Sequence, residues 1–174
     1  MKKLIFLDID GVLNVISTER DEFGAIFQEP FISNLKYIID KTDAKIVISS
    51  TWRASGFDIM QEMWKKRNLP GEIYAITPSS TILIEDDDLP FEFYDEVFRG
   101  HEIDFFIKQE CDTFPDEDFR YVIIDDDNDM LEIQRSCFVR TSNNWNDPEA
   151  VEGYGLTKSK AEEVIRILNQ NEEK

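Results

Sequence analysis

Short unbroken apolar runs alternate along the chain with segments whose apolar positions recur every three to four residues. Lys3–Leu7 closes on four apolar residues in a row, which predicts a strand covered on both faces rather than a half-solvated one. Phe31, Ile32, Leu35, Ile38 and Ile39 then fall at helical spacing. Lys45–Ile48 (KIVI) predicts a second strand. Phe57, Met60, Met63 and Trp64 mark a second helix, which Asn68-Leu69-Pro70-Gly71 would close. Ile73–Ile76 predicts a short third strand, and Glu85 to Phe98 has no period and reads as loop. Ile103, Phe106 and Ile107 predict a helix beginning near Arg99-Gly100. Tyr121–Ile124 and Cys137–Arg140 predict two further strands. Val164, Ile165 and Leu168 face a last helix, whose start is marked by Ser159 and Glu162 at capping-box spacing. Strands alternating with helices predict an α/β fold with a mainly parallel sheet.

Composition narrows this picture. The 174 residues suit one domain spanning 1–174, and 41% hydrophobic content with thirteen Phe supplies a core, which argues against disorder. The single histidine, His101, excludes histidine-rich metal sites. Cys111 and Cys137 form no CxxC pair or disulfide framework, and they suggest a reducing, cytoplasmic setting. No apolar run approaches the roughly 20 residues that span a membrane, and Asp8 and Asp10 interrupt any signal-peptide reading of the first apolar run. No GxxxxGK[ST] or GxGxxG string occurs. Composition does not specify an oligomeric state.

Charge adds a further restriction. Asp and Glu number 37 against 19 Lys and Arg, for a net charge of −18. Of these, 18 acids and only three basic residues (Arg99, Lys108, Arg120) lie between Glu85 and Asp129. Such a chain disfavours loose binding to nucleic acid or to anionic membrane, both of which reward clustered Lys and Arg. The run Glu85-Asp86-Asp87-Asp88 reads as a solvated loop, with Ca²⁺ or a cationic partner as the alternatives.

Three predicted strands end in residues that can carry chemistry: Asp8-Ile9-Asp10-Gly11, Ser49-Ser50-Thr51-Trp52-Arg53 and Asp125-Asp126-Asp127-Asn128-Asp129. In an open parallel sheet the ligand site lies outside the carboxyl ends of the strands, so these three tips are expected on one edge. Converging carboxylates repel and call for a cation, and oxygen ligands without His or Cys suit Mg²⁺. Open positions on such an ion are commonly filled by phosphate oxygens, which hydroxyls and backbone N–H groups also hold. A carboxylate beside phosphorus can act as a nucleophile, and a second one two residues on can exchange protons with the leaving oxygen and water. Gly11 lets the chain turn away from the strand. The constellation points to metal-assisted phosphoryl transfer on a phosphorylated substrate.

These strings resemble the motifs of the haloacid dehalogenase (HAD) superfamily of phosphohydrolases, in family order from about residue 4 to 129. Leu4 to Asn14 is similar to the DxD strand, Ile46-Val47-Ile48-Ser49 to the strand ending in Ser or Thr, Arg99 to the basic residue before a helix, and Asp125-Asp126 to the terminal acids. The strings ISSTWR, RGHEI and Gly155-Leu156-Thr157 resemble a compact HAD subgroup associated with nucleic-acid repair proteins. The resemblance implies a HAD-like Rossmannoid three-layer sandwich without a large cap domain. It implies a Mg²⁺-dependent phosphatase with Asp8 as nucleophile and metal ligand, and with Asp10 as general acid/base whose backbone carbonyl meets the metal. Ser49 would bind the phosphoryl group, with Ser50 as alternate, and Asp125 with Asp126 would hold Mg²⁺. Val12 stands where the family often has Thr, and Arg99 where it usually has Lys.

Alternatives remain at several positions. Lys108 competes with Arg99 for the basic role, and Asp129 with Asp126 for the additional metal-site acid. Arg53 either lines the site as a substrate contact or stacks with Trp52. Trp145, with Asn143 and Asn144, is a wall of the pocket or an exposed loop, and His101 reads as surface. The rival functions are a polynucleotide end-phosphatase, which the charge disfavours, and a non-catalytic Mg²⁺–phosphate-binding or interaction module.

Overall fold

The computed structural model describes residues 1–15, 17, 19–79, 98–143 and 153–170. Five parallel strands form the central sheet in the order β5-β4-β1-β6-β7: β1 (Lys2–Leu7), β4 (Lys45–Ile48), β5 (Ile73–Ile76), β6 (Phe119–Asp125) and β7 (Phe138–Arg140). The chain builds outward from β1 to β4 and β5, then returns to the other side of β1 for β6 and β7. The order therefore reverses at β1. Because β1 is hydrogen-bonded on both edges and covered on both faces, its apolar residues do not alternate with polar ones, and Leu4 to Leu7 are fully buried.

Period-two geometry sends alternate side chains of each strand into two cores. Ile5, Leu7, Ile46, Ile48, Val122 and Ile124 meet Leu35 and Ile38 of α1 (Glu29–Thr42), Met60, Met63 and Trp64 of α2 (Phe57–Lys66), and Val164 and Leu168 of the last helix. Leu4, Phe6, Val47 and Ile123 face the opposite way, onto Ile103 and Phe106 of α3 (Arg99–Thr113). Phe6 meets Phe106 edge-on with ring centroids 5.5 Å apart. The three-layer α/β arrangement matches the one expected from the sequence.

Local differences have identifiable causes. The last helix, α4 (Lys158–Asn169), is capped by Thr157, whose hydroxyl accepts from the Lys160 N–H at 3.3 Å, not by Ser159. Leu156 is buried and its N–H donates to the Val12 carbonyl, so the chain is anchored there and can turn into helix at once. β6 starts two residues earlier than expected because Phe119 and Arg120 pair with Lys2 and Lys3. Cys137 ends a 3-10 helix (Glu132–Cys137) rather than starting β7. A two-stranded antiparallel hairpin, β2 (Arg20–Asp21) with β3 (Gly24–Ala25), was not expected, since two-residue strands are too short to show a period. Among the described residues, only this hairpin and α1 lie between β1 and β4. No helix among them is long and apolar enough to cross a membrane.

Candidate active site

Strand register builds the site. Leu7 pairs with Ile48 on one side and Ile124 on the other, and Ile48 pairs with Ile76. One residue further, Thr77, Ser49, Asp8 and Asp125 stand side by side in that order. The backbone N–H groups of Asp8, Ser49 and Thr77 extend the ladder, each donating at 3.0 Å to Ile124, Leu7 and Ile48 respectively. Two residues before Asp8, Ser49 and Asp125 are Phe6, Val47 and Ile123, which face α3, so strand alternation turns the three polar side chains toward α3 as well. The tips expected at one edge are therefore also in one row.

Arg99, the first residue of α3, faces this row. Its Nη1 lies 3.4 Å from Asp8 Oδ1 and its Nε 3.6 Å from Asp125 Oδ2. Burial works against the Arg99 charge, but Asp125 and Asp8 outweigh it and its pKa is raised. Asp129 anchors this helix start: its carboxylate accepts from the Arg99 N–H at 3.0 Å, and its carbonyl from the Gly100 N–H at 3.3 Å. Gly100 has no space for a Cβ, which would come within 2.6 Å of the Leu131 nitrogen. The other Asp129 oxygen, Oδ1, is buried without a hydrogen-bond partner. Lys108 is exposed on α3 and pairs with Asp104, and Asp129 serves as a helix cap.

Asp8, Asp125 and Asp126 bring one carboxylate oxygen each within 4.8 Å of one another. Burial raises the pKa of Asp8 above the usual carboxylate value, against the pull of Arg99 and a hydrogen bond with Ser50. Burial and then the neighbouring Asp8 charge push Asp125 up to about 8, and Asp126 up to about 6. Asp125 Oδ1 accepts from the Asp127 N–H, while its buried Oδ2 has no hydrogen-bond partner. Three crowded carboxylates, one with an oxygen left over, fit a hard divalent cation such as Mg²⁺. Gly11 makes room for this: its φ is +78°, and a Cβ there would overlap the Asp126 carboxylate. Asn143 donates to Asp126 Oδ2, and Arg140 Nε to the Asp126 carbonyl at 3.0 Å.

The Asp10 side chain stands outside this cluster and is exposed. Its Oδ1 accepts from Asn14 Nδ2 at 2.7 Å and its Oδ2 from Trp52 Nε1 at 2.8 Å. Of the two serines, Ser49 is fully buried with an unpartnered hydroxyl, whereas Ser50 accepts from the Trp52 N–H at 3.4 Å and starts a 3-10 helix (Thr51–Ser55). Arg53 is committed to the protein at both terminal nitrogens: Nη2 meets Glu102 Oε2 of α3 at 2.7 Å, and Nη1 the Ser50 carbonyl at 2.8 Å. Burial lowers its pKa and Glu102 opposes that shift. Its Nε has no hydrogen-bond partner. His101 stacks on Phe98, with ring centroids 6.1 Å apart.

Trp52, Asn14, Glu102 and Thr77 take part in this arrangement and were not singled out from sequence. Trp52 and Asn14 lie inside the strings ISSTWR and DIDGVLN, so their proximity to the motifs was a usable signal. Glu102 likewise lies inside the string RGHEI, whereas nothing local marks Thr77. Glu85 to Asp88, Asn144 and Trp145 lie outside the described residues.

Residues 4–145 match the family model described as the HAD domain in Swiss Army Knife RNA repair proteins. The chain belongs to this HAD family. No curated protein and no solved structure matches it. The matched span carries the HAD domain from β1 through β7, and so includes all the strand tips described above.

Proposed function

We propose that this HAD domain is a phosphatase that hydrolyses phosphomonoesters through a phosphoryl group held transiently on Asp8. One observation carries the reading: the buried Asp8 carboxylate stands in one row with Ser49 and Asp125 and is contacted by Arg99. Asp8, turned toward Arg99, is placed to attack phosphorus. The Asp8 oxygen forms a bond to phosphorus, the ester P–O bond breaks, and Asp10 supplies the proton taken up by the leaving oxygen. Water then attacks the phosphorus, Asp10 recovers a proton, and inorganic phosphate leaves with Asp8 restored. The Ser49 hydroxyl and the Arg99 guanidinium would hold the phosphoryl oxygens. Asp8, Asp125 and Asp126, with the Asp10 backbone carbonyl, would hold Mg²⁺, which when bound offsets the crowded negative charge and polarises the phosphoryl oxygens.

A second reading, removal of phosphate from a nucleic-acid end, is supported by the family description. The net charge of −18 opposes it, unless a basic partner or appended domain supplies the backbone contacts. The free cysteines, with Cys111 exposed, support a reducing, cytoplasmic location.

The test is hydrolysis of an aryl phosphate in Mg²⁺, followed by a panel of phosphometabolites and of 5′- and 3′-phosphorylated oligonucleotides. The Asp8→Asn variant and EDTA should each lower the rate at least about 1000-fold. Equal rates for the wild type and Asp8→Asn would overturn the mechanism. Inactivity across the panel with intact Mg²⁺ binding would instead support a non-catalytic binding module.

A further inference from the structure

The chain that leaves β7 meets the acid cluster at several points. Register fixes the first of them. Asp125 pairs with Arg140, so the next residue, Thr141, extends the ladder, and its N–H donates to the Asp125 carbonyl at 2.9 Å. The Thr141 hydroxyl, on a residue 4% exposed, reaches the turn after β1 and donates to the Gly11 carbonyl at 2.9 Å. Arg140 holds the Asp126 carbonyl, and Asn143, two residues beyond Thr141, donates to Asp126 Oδ2. One buried residue therefore joins the two backbones that carry the metal-site acids. Its amide holds the tip of β6, and its hydroxyl holds the turn that follows Asp8 and Asp10.

That turn needs holding. Gly11 supplies space for Asp126 but no rigidity, because glycine restricts its two flanking peptide planes less than any other residue. The plane before it, which carries the Asp10 carbonyl, is fixed by the Gly11 N–H donating to the Asn14 carbonyl at 2.8 Å. The plane after it is fixed by Thr141. The next carbonyl, that of Val12, accepts from the Leu156 N–H, and the Gly155 N–H donates to the Ser142 carbonyl, both at 2.9 Å. The two supports of the turn are thus tied to each other. A threonine suits the joint, since a β-branched side chain has few χ1 rotamers and keeps its hydroxyl in one direction. Asp8, Asp125 and Asp126 repel one another across 4.8 Å or less, and these ties hold them together against that repulsion.

We infer that Thr141 and Asn143 are positioning residues for the metal centre. Thr141 sets the distance between the Asp8–Gly11 turn and Asp125, and Asn143 sets the orientation of the Asp126 carboxylate. The affinity of the site for Mg²⁺ is then governed in part by two uncharged side chains behind the acids. The inference rests on the Mg²⁺-dependent phosphatase reading and deepens it.

The test is calorimetric titration of Mg²⁺, without substrate, into the wild type, Thr141→Val, Thr141→Ser and Asn143→Ala, beside the melting temperature of each in EDTA. Thr141→Val keeps the shape and removes the donor. It should weaken Mg²⁺ binding about tenfold, as loss of a group that orients a metal ligand does. Thr141→Ser retains a hydroxyl and should recover most of that loss. Asn143 is exposed, so Asn143→Ala should weaken Mg²⁺ about tenfold with an unchanged melting temperature in EDTA. A lower melting temperature in Thr141→Val with wild-type Mg²⁺ affinity would make Thr141 purely structural and overturn its role. Wild-type affinity in Asn143→Ala overturns that of Asn143. Should Thr141→Val not fold, Thr141→Cys, with its weaker donor, takes its place under the same criteria. Failure of the phosphatase reading is seen separately. A wild type that binds Mg²⁺ but hydrolyses no ester ends that reading and leaves the titrations to judge the two residues. A wild type that binds no Mg²⁺ overturns the metal centre and this inference together.

Discussion

The indole Nε1 of Trp52 donates a 2.8 Å hydrogen bond to Oδ2 of Asp10, and Asn14 holds the other carboxylate oxygen at 2.7 Å. Trp52 is itself clamped. Phe27 meets it edge-on with centroids 5.4 Å apart, and the Arg67 guanidinium lies 5.7 Å from its ring. Gly24 leaves it room, since a Cβ there would come within 3.1 Å of the indole. Arg67 is fixed by Asp21 through bonds of 2.6 and 2.9 Å, which depress the Asp21 carboxyl to about 2. The small β2–β3 hairpin therefore reaches the proposed acid/base through one aromatic side chain.

Both groups that hold Asp10 are N–H donors, one on each carboxylate oxygen, and they fix the orientation in which its remaining lone pairs take up or release a proton. Trp52→Phe removes one bond and keeps most of the ring packing. It should lower kcat about tenfold for an alkyl phosphate, whose leaving oxygen needs a proton, and much less for p-nitrophenyl phosphate, whose anion leaves without one. Steady-state rates across a leaving-group series check this. An equal loss on every ester would show that Trp52 does not act through Asp10.

Gly11→Ala should disable the metal site. A Cβ would overlap the Asp126 carboxylate, and a non-glycine residue at φ +78° adds about 1–2 kcal/mol of backbone strain. The expected result is a lower melting temperature and loss of the Mg²⁺-induced increase in it, read by thermal denaturation with and without Mg²⁺.

Asp125 and Asp126 tie stability to pH. Folding raises their pKa from 3.8 to about 8 and about 6. A group raised on folding contributes fully below its unfolded value and loses that contribution as pH rises through the folded one. In EDTA the melting temperature should therefore fall as pH rises through about 6 and on to about 8, and Mg²⁺ should restore it by favouring the ionised acids. The −18 net charge acts in the same direction, so Asp126→Asn is the control and should flatten the lower part of the slope. A melting temperature independent of pH over that range would contradict the crowded acid cluster.

The Arg53–Glu102 pair should be structural. Its atoms are 2.7 Å apart with side chains only 10% and 6% exposed, and it ties the segment after β4 to α3. Glu102→Ala would leave a buried guanidinium uncompensated and should cost about 3 kcal/mol, measured by urea denaturation with an unchanged slope. Glu102→Gln keeps an acceptor and should cost less.

The layered fold was legible in the chain because each element carries its own burial pattern. Four apolar residues in a row specify a doubly covered strand, and a 3.6-residue repeat specifies a helix with one buried face. Acids directly after such strands were legible as a site for the same reason, since parallel strands share an edge. The weak points were elements too short to show a period, such as the β2–β3 hairpin, and the competition between Thr157 and Ser159 for one helix cap.

Sequence by itself thus determined the α/β class, the five central strands and the polar tips Asp8, Ser49 and Asp125. Tertiary structure decided which neighbours meet those tips: Asp126 within 4.8 Å of Asp8 and Asp125, Arg99 between the same two acids, Trp52 on Asp10, and Thr77 next to Ser49. The physical reason is range. Burial patterns are properties of consecutive residues, whereas these partners are set by strand order, by a register that places Asp8, Ser49 and Asp125 in one row, and by a helix start that Asp129 anchors from 30 positions away.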